Sequence, residues 1–243
     1  MTNLAIDIGN TCTKLVAFSD TSPLEELRID DGEEHLLADF ATKYMFDRGI
    51  YSTVVHLTPK MENAIKSFTF PMIRLVPGKT PVPLAIRYLT PHTLGADRLA
   101  AAVGAYCRHP GREVMVIDVG TCITYDFVSD LGEYFGGNIS PGPAIRLKAL
   151  NTFTDSLPLI ERKGEIPELG NSTETAIRSG VMNGIRREIE GYISDYLLKY
   201  PRLLIYLTGG IHPDLHVKEK MRTFADDFIV PEGLNRILLY NIE

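Results

Sequence analysis

Asp7-Ile8-Gly9-Asn10-Thr11-Cys12, closing on Ser19-Asp20, returns in the second half of the chain as Asp118-Val119-Gly120-Thr121-Cys122, closing on Ser129-Asp130. Apart from a one-residue gap at Asn10, the two stretches share Asp-x-Gly, Thr-Cys and Ser-Asp. Each follows an apolar run, residues 4–6 and 114–117, and each leads into another, residues 15–18 and 123–128. The reading is strand, tight glycine turn, strand: a hairpin with an acidic residue at its tip. A third strand is predicted to close each sheet, at residues 24–29 and 133–139. Apolar residues at helical spacing follow in both halves and predict helices over 33–48, 94–107 and 174–200. Strands are expected after them at 52–57 and 203–207. The long helix carries Ile177, Val181, Ile185, Ile189, Tyr192 and Tyr196 on one face, and Pro201 ends it. The expected architecture is therefore α/β, in two duplicated domains, 1–112 and 113–243, facing one another across a cleft. The long apolar stripe either packs entirely on its own sheet or outruns what half a chain can cover, which would leave it for a partner in a two-fold dimer. The proline-rich stretch 71–91 is expected to be irregular and to carry a substrate loop.

Composition narrows the function. The 243 residues are 44% hydrophobic and 23% charged, as in an ordinary globular protein. The net charge of -6 and the lack of a basic stripe argue against nucleic acid as a partner. A bound polyanion would have to be met by local dipoles or a metal ion. Three cysteines without a CxxC pair give neither a zinc site nor a disulfide framework. The chain opens on a strand-like run rather than a basic and then apolar leader, and no apolar run reaches membrane-spanning length. The expected setting is cytoplasmic, with no membrane partner.

In the first turn, Gly9 lets backbone N–H groups approach phosphate oxygens, and Asn10 and Thr11 add donors. Asp7 at the strand end can hold Mg²⁺, and Lys14 can neutralise phosphoryl charge. Taken alone, the stretch reads more simply as a plain hairpin turned at Gly9-Asn10; the second copy favours the ligand reading. There, Thr121 is the expected phosphate contact and Asp118 the expected cation ligand, the alternative being a structural echo of duplication whose function is lost. Gly95-Ala96-Asp97-Arg98 opens a helix. A carboxylate at that place is expected to stay ionised and can accept a hydroxyl proton, while Arg98 can grip a carboxylate. An ordinary helix cap with a solvated arginine fits these four residues equally well. Gly136-Gly137-Asn138-Ile139-Ser140-Pro141-Gly142 and Thr208-Gly209-Gly210 permit close approach of backbone to a ligand, or simply turns. Gly78-Lys79-Thr80 imitates a P-loop, but the position five residues before Gly78 is Ile73 rather than glycine, so it is rejected.

Taken in order, Asp7-x-Gly-Asn-Thr with Lys14, Tyr88-x-x-Pro-x-x-x-Gly-Ala-Asp-Arg98, Asp118-x-Gly-Thr, Gly136-Gly-x-Ile-x-Pro-Gly142 and Thr208-Gly-Gly resemble type III pantothenate kinase. That family lies within the acetate and sugar kinase and actin superfamily. The resemblance runs from Asp7 to about Leu234 and implies duplicated actin-like, ribonuclease H-like domains. It implies ATP-dependent phosphorylation of pantothenate, the first step of coenzyme A synthesis, with Mg²⁺ and a monovalent cation, K⁺ or NH₄⁺, at Asp118. It implies Asp97 as base. Tyr88, Gly95, Ala96, Asp97, Arg98 and Thr173 would surround pantothenate. Asp7, Ile8, Gly9, Asn10, Thr11, Cys12, Thr13, Lys14 and Thr121 would surround ATP. It implies a homodimer with the long helix near the interface. Cys122 departs from the family's alanine. A different kinase of the superfamily, or a regulatory ATP-binding module without catalysis, are the alternatives.

Overall fold

In the computed structural model, which describes residues 1–30, 32–211, 215 and 223–242, the chain runs β1 (Thr2–Ile8), β2 (Thr13–Ser19), β3 (Ser22–Ile29), α1 (His35–Lys43), β4 (Arg48–Thr53), α2 (Pro59–Lys66), β5 (Met72–Arg74) and β6 (Ala85–Ile86). A short 3₁₀ turn, Pro91–Thr93, precedes α3 (Ala96–Arg108). Then come β7 (Val114–Val119), β8 (Cys122–Val128), β9 (Glu133–Pro141), α4 (Pro143–Thr152), α5 (Thr173–Lys199), β10 (Leu204–Thr208), β11 (Thr223–Ala225) and α6 (Ile229–Tyr240). The first sheet has the order β3-β2-β1-β4-β5 and the second β11-β10-β7-β8-β9-β6. Read outward from β1 and β7, the two orders are the same, with β6 added at one edge of the second. The repeat seen in the sequence is thus a repeat of topology.

The chain forms two compact units that interleave along it: Met1–Val114 with Asp126–Gly136 and Phe228–Glu243, and Met115–Tyr125 with Gly137–Asp227. In the first unit, β1 is the central strand, antiparallel to β2 and parallel to β4. Its apolar side chains are buried on both faces, as such a position demands. Leu4, Ile6, Ile8, Leu15 and Ala17 pack with Ile29, Leu37, Phe40 and Phe46 in one cluster. The helix expected over 33–48 stops at Lys43 and the strand expected at 52–57 begins at Arg48. Pairing with β1 explains the shift, because register places Asn3 opposite Arg48 and Asp7 opposite Ser52. A ladder partner outweighs the local helical pattern.

Helix α6 returns the end of the chain to the first unit and lies against α3. The crossing is close at two glycines. A Cβ on Gly233 would overlap the Ala100 carbonyl oxygen, and one on Gly104 would overlap that of Ile229. Arg108 donates to Glu232 across the same pair at 2.8 Å, and buried Asn235 accepts from the Asn3 side chain at 2.9 Å while donating to the Asp20 carbonyl at 2.7 Å. In the second unit, α5 starts with Ser172 as N-cap, whose hydroxyl accepts from the Thr175 N–H at 3.2 Å in a capping box. Its apolar stripe is not left open. Ile177, Val181, Ile185, Ile189 and Ile193 are all buried, and the Tyr192 ring packs on Tyr125 at 4.2 Å. The aliphatic part of the stripe is therefore covered within the chain and gives no argument for a partner surface.

Candidate active site

Register fixes the neighbours of Asp7. On β1 it stands opposite Lys14 of β2 and Ser52 of β4. The Ser52 hydroxyl donates to Asp7 Oδ1 at 2.7 Å. Burial, with the nearby Asp97 charge adding to it, outweighs Ser52 and Lys14 and pushes the Asp7 carboxyl up to about 6. The turn beyond closes through the Gly9 N–H donating to the Cys12 carbonyl at 3.1 Å. Ile8 and Thr13 are buried in the sheet, whereas Asn10 and Thr11 are exposed at the tip. Of the stretch from Asp7 to Lys14, it is the turn that presents donors to a ligand.

The Asp7 shift has a measurable sign. The folded state holds a proton that the unfolded chain releases near its ordinary value, so this residue favours the fold as pH falls from about 6 toward 4 and loses that advantage as pH rises through about 6. Metal-free protein is expected to gain stability relative to Asp7→Asn as pH is lowered from 7 to 4.5. Thermal melts of the two proteins at these pH values would show it, and a constant difference in Tm would contradict it.

Asp97 lies in the first turn of α3, after Gly95 in extended backbone, and its Oδ1 accepts the Arg98 backbone N–H at 2.8 Å. The sequence reading expected the helix terminus to hold this carboxylate ionised. Burial acts the other way and is the larger effect, pushing the carboxyl above its ordinary value against the Arg98 N–H and charge. A carboxylate made more basic is a better proton acceptor near neutral pH. Gly95 and Ala96, just before it in the chain, line a cavity of about 440 Å³ whose wall also includes Val55, His56, Arg74 and His92, but not Asp97 itself. The proline-rich stretch supplies part of that wall, from Arg74 to Pro77. His56, Arg74 and His92, distant in sequence, were invisible as a group before folding.

Arg98 is not solvated. It is 6% exposed, and its Nε and Nη2 donate to the Asp126 carboxylate, Nη2 at 2.7 Å and Nε at 3.1 Å to each oxygen. The Tyr134 hydroxyl donates to Asp126 Oδ1 at 2.6 Å. A bidentate grip on another carboxylate would have to use the guanidinium's other edge. Tyr88 is half-buried, with its ring centroid 6.2 Å from that of Tyr134. Sequence reasoning missed Asp126 and Tyr134. The signal was a lone acid inside the apolar run 123–128, which must find a partner if that strand is buried.

The first unit thus brings together Asp7, Lys14, Tyr88, Asp97 and Arg98. In the second, Asp118 is the penultimate residue of β7, and Gly120 N–H donates to the Cys122 carbonyl at 2.9 Å. Gly209, at φ +99, is held so close that a Cβ there would overlap Asp118 Oδ1 and lie 2.5 Å from the Val119 carbonyl oxygen. Gly142 N–H donates to the Thr121 carbonyl at 3.0 Å, so two of the glycine stretches singled out in the sequence brace this turn. Thr121 is exposed, as is Thr173 at the first turn of α5. Among the described residues there is no cluster of three or more His, Cys, Asp or Glu able to hold a metal by itself, and no helix long and apolar enough to cross a membrane.

Comparison with known proteins bears on this arrangement. The family model described as type III pantothenate kinase matches residues 3–195. A protein of Phocaeicola vulgatus that carries the name type III pantothenate kinase is 47% identical over 239 residues, 98% of each chain. Among solved structures, the ROK hexokinase of Thermus thermophilus superposes with a TM-score of 0.57 at 11% identity, covering 100% of both chains. The activator of the 2-hydroxyisocaproyl-CoA dehydratase from Clostridium difficile, with bound ADPNP, gives 0.55 at 13% identity, covering 99% of this chain and 94% of the other. At such identities the structural likeness is one of fold, and it agrees with the duplicated actin-like topology read from the two sheets.

Proposed function

Since the chain belongs to the type III pantothenate kinase family, whose members phosphorylate pantothenate with ATP for coenzyme A synthesis, we propose that Asp97 is the base of that transfer and that the cavity beside it receives the acceptor. The observation that carries this is Asp97 itself: a carboxylate made more basic by burial, at the mouth of α3, next to Asp7 and a cavity walled by Arg74 and two histidines. In the reaction, Asp97 accepts the proton of the pantothenate hydroxyl as its oxygen bonds to the γ-phosphorus; the bond to the β–γ bridging oxygen breaks, and ADP leaves. The basic wall suits the acceptor's carboxylate. Tyr88, Gly95, Ala96 and Arg98 complete the acceptor contacts within the first unit. Asp7, the turn Ile8 to Thr13 and Lys14 take the ATP.

Magnesium fits Asp7, because that ion is held by one or two carboxylates together with phosphate oxygens; when bound, it neutralises charge developing on the phosphoryl group. A monovalent cation is assigned to Asp118, whose carboxylate supplies a hard oxygen donor beside the second glycine turn. A coupled ADP-release assay tests the whole reading. Pantothenate, but not glucose or acetate, is expected to release ADP, several-fold faster in K⁺ than in Na⁺, and Asp118→Ala is expected to lose that difference. Equal turnover in the two salts would remove the cation from Asp118, and turnover on a sugar alone would favour another kinase of the superfamily. ATP binding without turnover on any acceptor would favour the regulatory module.

We place the enzyme in the cytoplasm, as a homodimer with Thr173 donated to the partner's acceptor site. Exposed Ile139, Ile145, Phe153, Leu159 and Leu169 in the second unit support a covered surface there. Light scattering is expected to give twice the 27.1 kDa chain mass; a fully active monomer would exclude it.

A further inference from the structure

Behind the proposed acceptor residues lies a polar cluster with no role so far. Asp126 is 1% exposed and receives three hydrogen bonds from Arg98 and one from Tyr134. Tyr134 is itself fully buried, and its ring supports Tyr88 from one side. Gly136, at φ +99, also lies against Tyr88: a Cβ there would be 2.6 Å from the ring. Tyr88 also serves the Arg98 guanidinium as a hydrogen-bond partner. A buried ion pair adds little net stability over apolar side chains of the same volume, so stability alone does not account for placing one here. What the charged pair does supply is orientation: two acceptor oxygens fix the plane of the guanidinium, and the Tyr134 hydroxyl fixes the carboxylate.

We propose that Asp126, held by Tyr134, is a positioning residue for the phosphoryl acceptor: it fixes the Nε and Nη2 edge of Arg98, keeping the remaining N–H groups on the Tyr88 side, and so sets acceptor affinity without touching ATP. The inference rests on the assignment of Arg98 and Tyr88 to the acceptor. Neither Asp126 nor Tyr134 contacts a reacting atom in this scheme; both act through Arg98 and Tyr88.

The test is steady-state kinetics on full-length Arg98→Ala, Asp126→Asn and Tyr134→Phe, with pantothenate and ATP varied separately and Tm recorded for each. Asp126→Asn keeps the shape of the side chain but removes the charge and one acceptor oxygen. It is expected to raise KM for pantothenate about tenfold or more, with KM for ATP within about twofold of wild type. Tyr134→Phe removes only one hydroxyl and is expected to raise the same KM about threefold, again sparing ATP. A purely structural role would lower Tm and leave the two KM values alone or move them together, and would overturn the proposal. If Arg98→Ala leaves KM for pantothenate within twofold, the acceptor assignment fails and this inference falls with it. If Arg98→Ala raises that KM but Asp126→Asn and Tyr134→Phe do not, only the positioning role is lost. Should Asp126→Asn not fold, Tyr134→Phe decides alone: a selective rise for pantothenate at unchanged Tm supports the role, and an unchanged KM refutes it.

Discussion

Asp97→Asn is expected to lower phosphoryl transfer to pantothenate by about 10²–10⁴-fold while ATP still binds. The amide is nearly the same size as the carboxylate, and its oxygen can still accept the Arg98 N–H, so the first turn of α3 keeps its geometry. What is lost is the proton acceptor, whose basicity burial had raised. A second consequence follows from its neighbour. Asp97 is among the charges that push Asp7 upward, so removing it is expected to make Asp7 easier to ionise and to leave Mg-ATP binding equal or slightly tighter. Single-turnover phosphorylation and isothermal titration with Mg-ATP separate the two effects. Transfer within about twofold of wild type would take Asp97 out of the role of base. Loss of ATP binding in parallel with turnover would instead mark a misfolded site.

The second large effect is expected at Gly233→Val, far in sequence from every motif. A Cβ there overlaps the Ala100 carbonyl oxygen and lies 2.9 Å from the Gly104 nitrogen, so the obstacle is backbone, which cannot rotate out of the way. Overpacking of this kind costs about 1–3 kcal/mol and sometimes more. For a chain of this size that corresponds to a fall in Tm of roughly 2–12 °C. Because α3 carries Asp97 at its start, separating α3 from α6 is also expected to lower turnover in the protein that remains folded. Gly184→Ala is the control, because no atom lies within 4 Å of a Cβ there and the residue is inside α5; its Tm is expected to hold or rise slightly. A Gly233→Val protein melting within a degree of wild type would show that the α3–α6 crossing yields easily.

The sequence by itself determined the repeat. Two Asp-x-Gly turns between apolar runs required two hairpins of one kind, and the sheets show the same strand order around β1 and β7. It also determined the family, because the motifs keep their order and spacing over most of the chain, as the match over residues 3–195 shows. Local patterns were enough here, since period, turn glycines and spacing are all properties of neighbouring residues. They were not enough where partners are distant. Strand β4 begins at Arg48 because β1 offers a ladder there, against a local helical pattern. The aliphatic residues of the α5 stripe are buried within the chain, which its sequence could not reveal because period shows that a face is apolar and not what covers it. Arg98 reads as a solvated cap or a ligand hook until folding brings Asp126, 28 residues later, within hydrogen-bond distance. Asp97 reads as an ordinary helix cap until its burial, which raises its basicity, is known. Charge and hydrogen-bond capacity are written in each residue, but desolvation and pairing depend on which atoms the chain packs around it, and only the tertiary structure decides that.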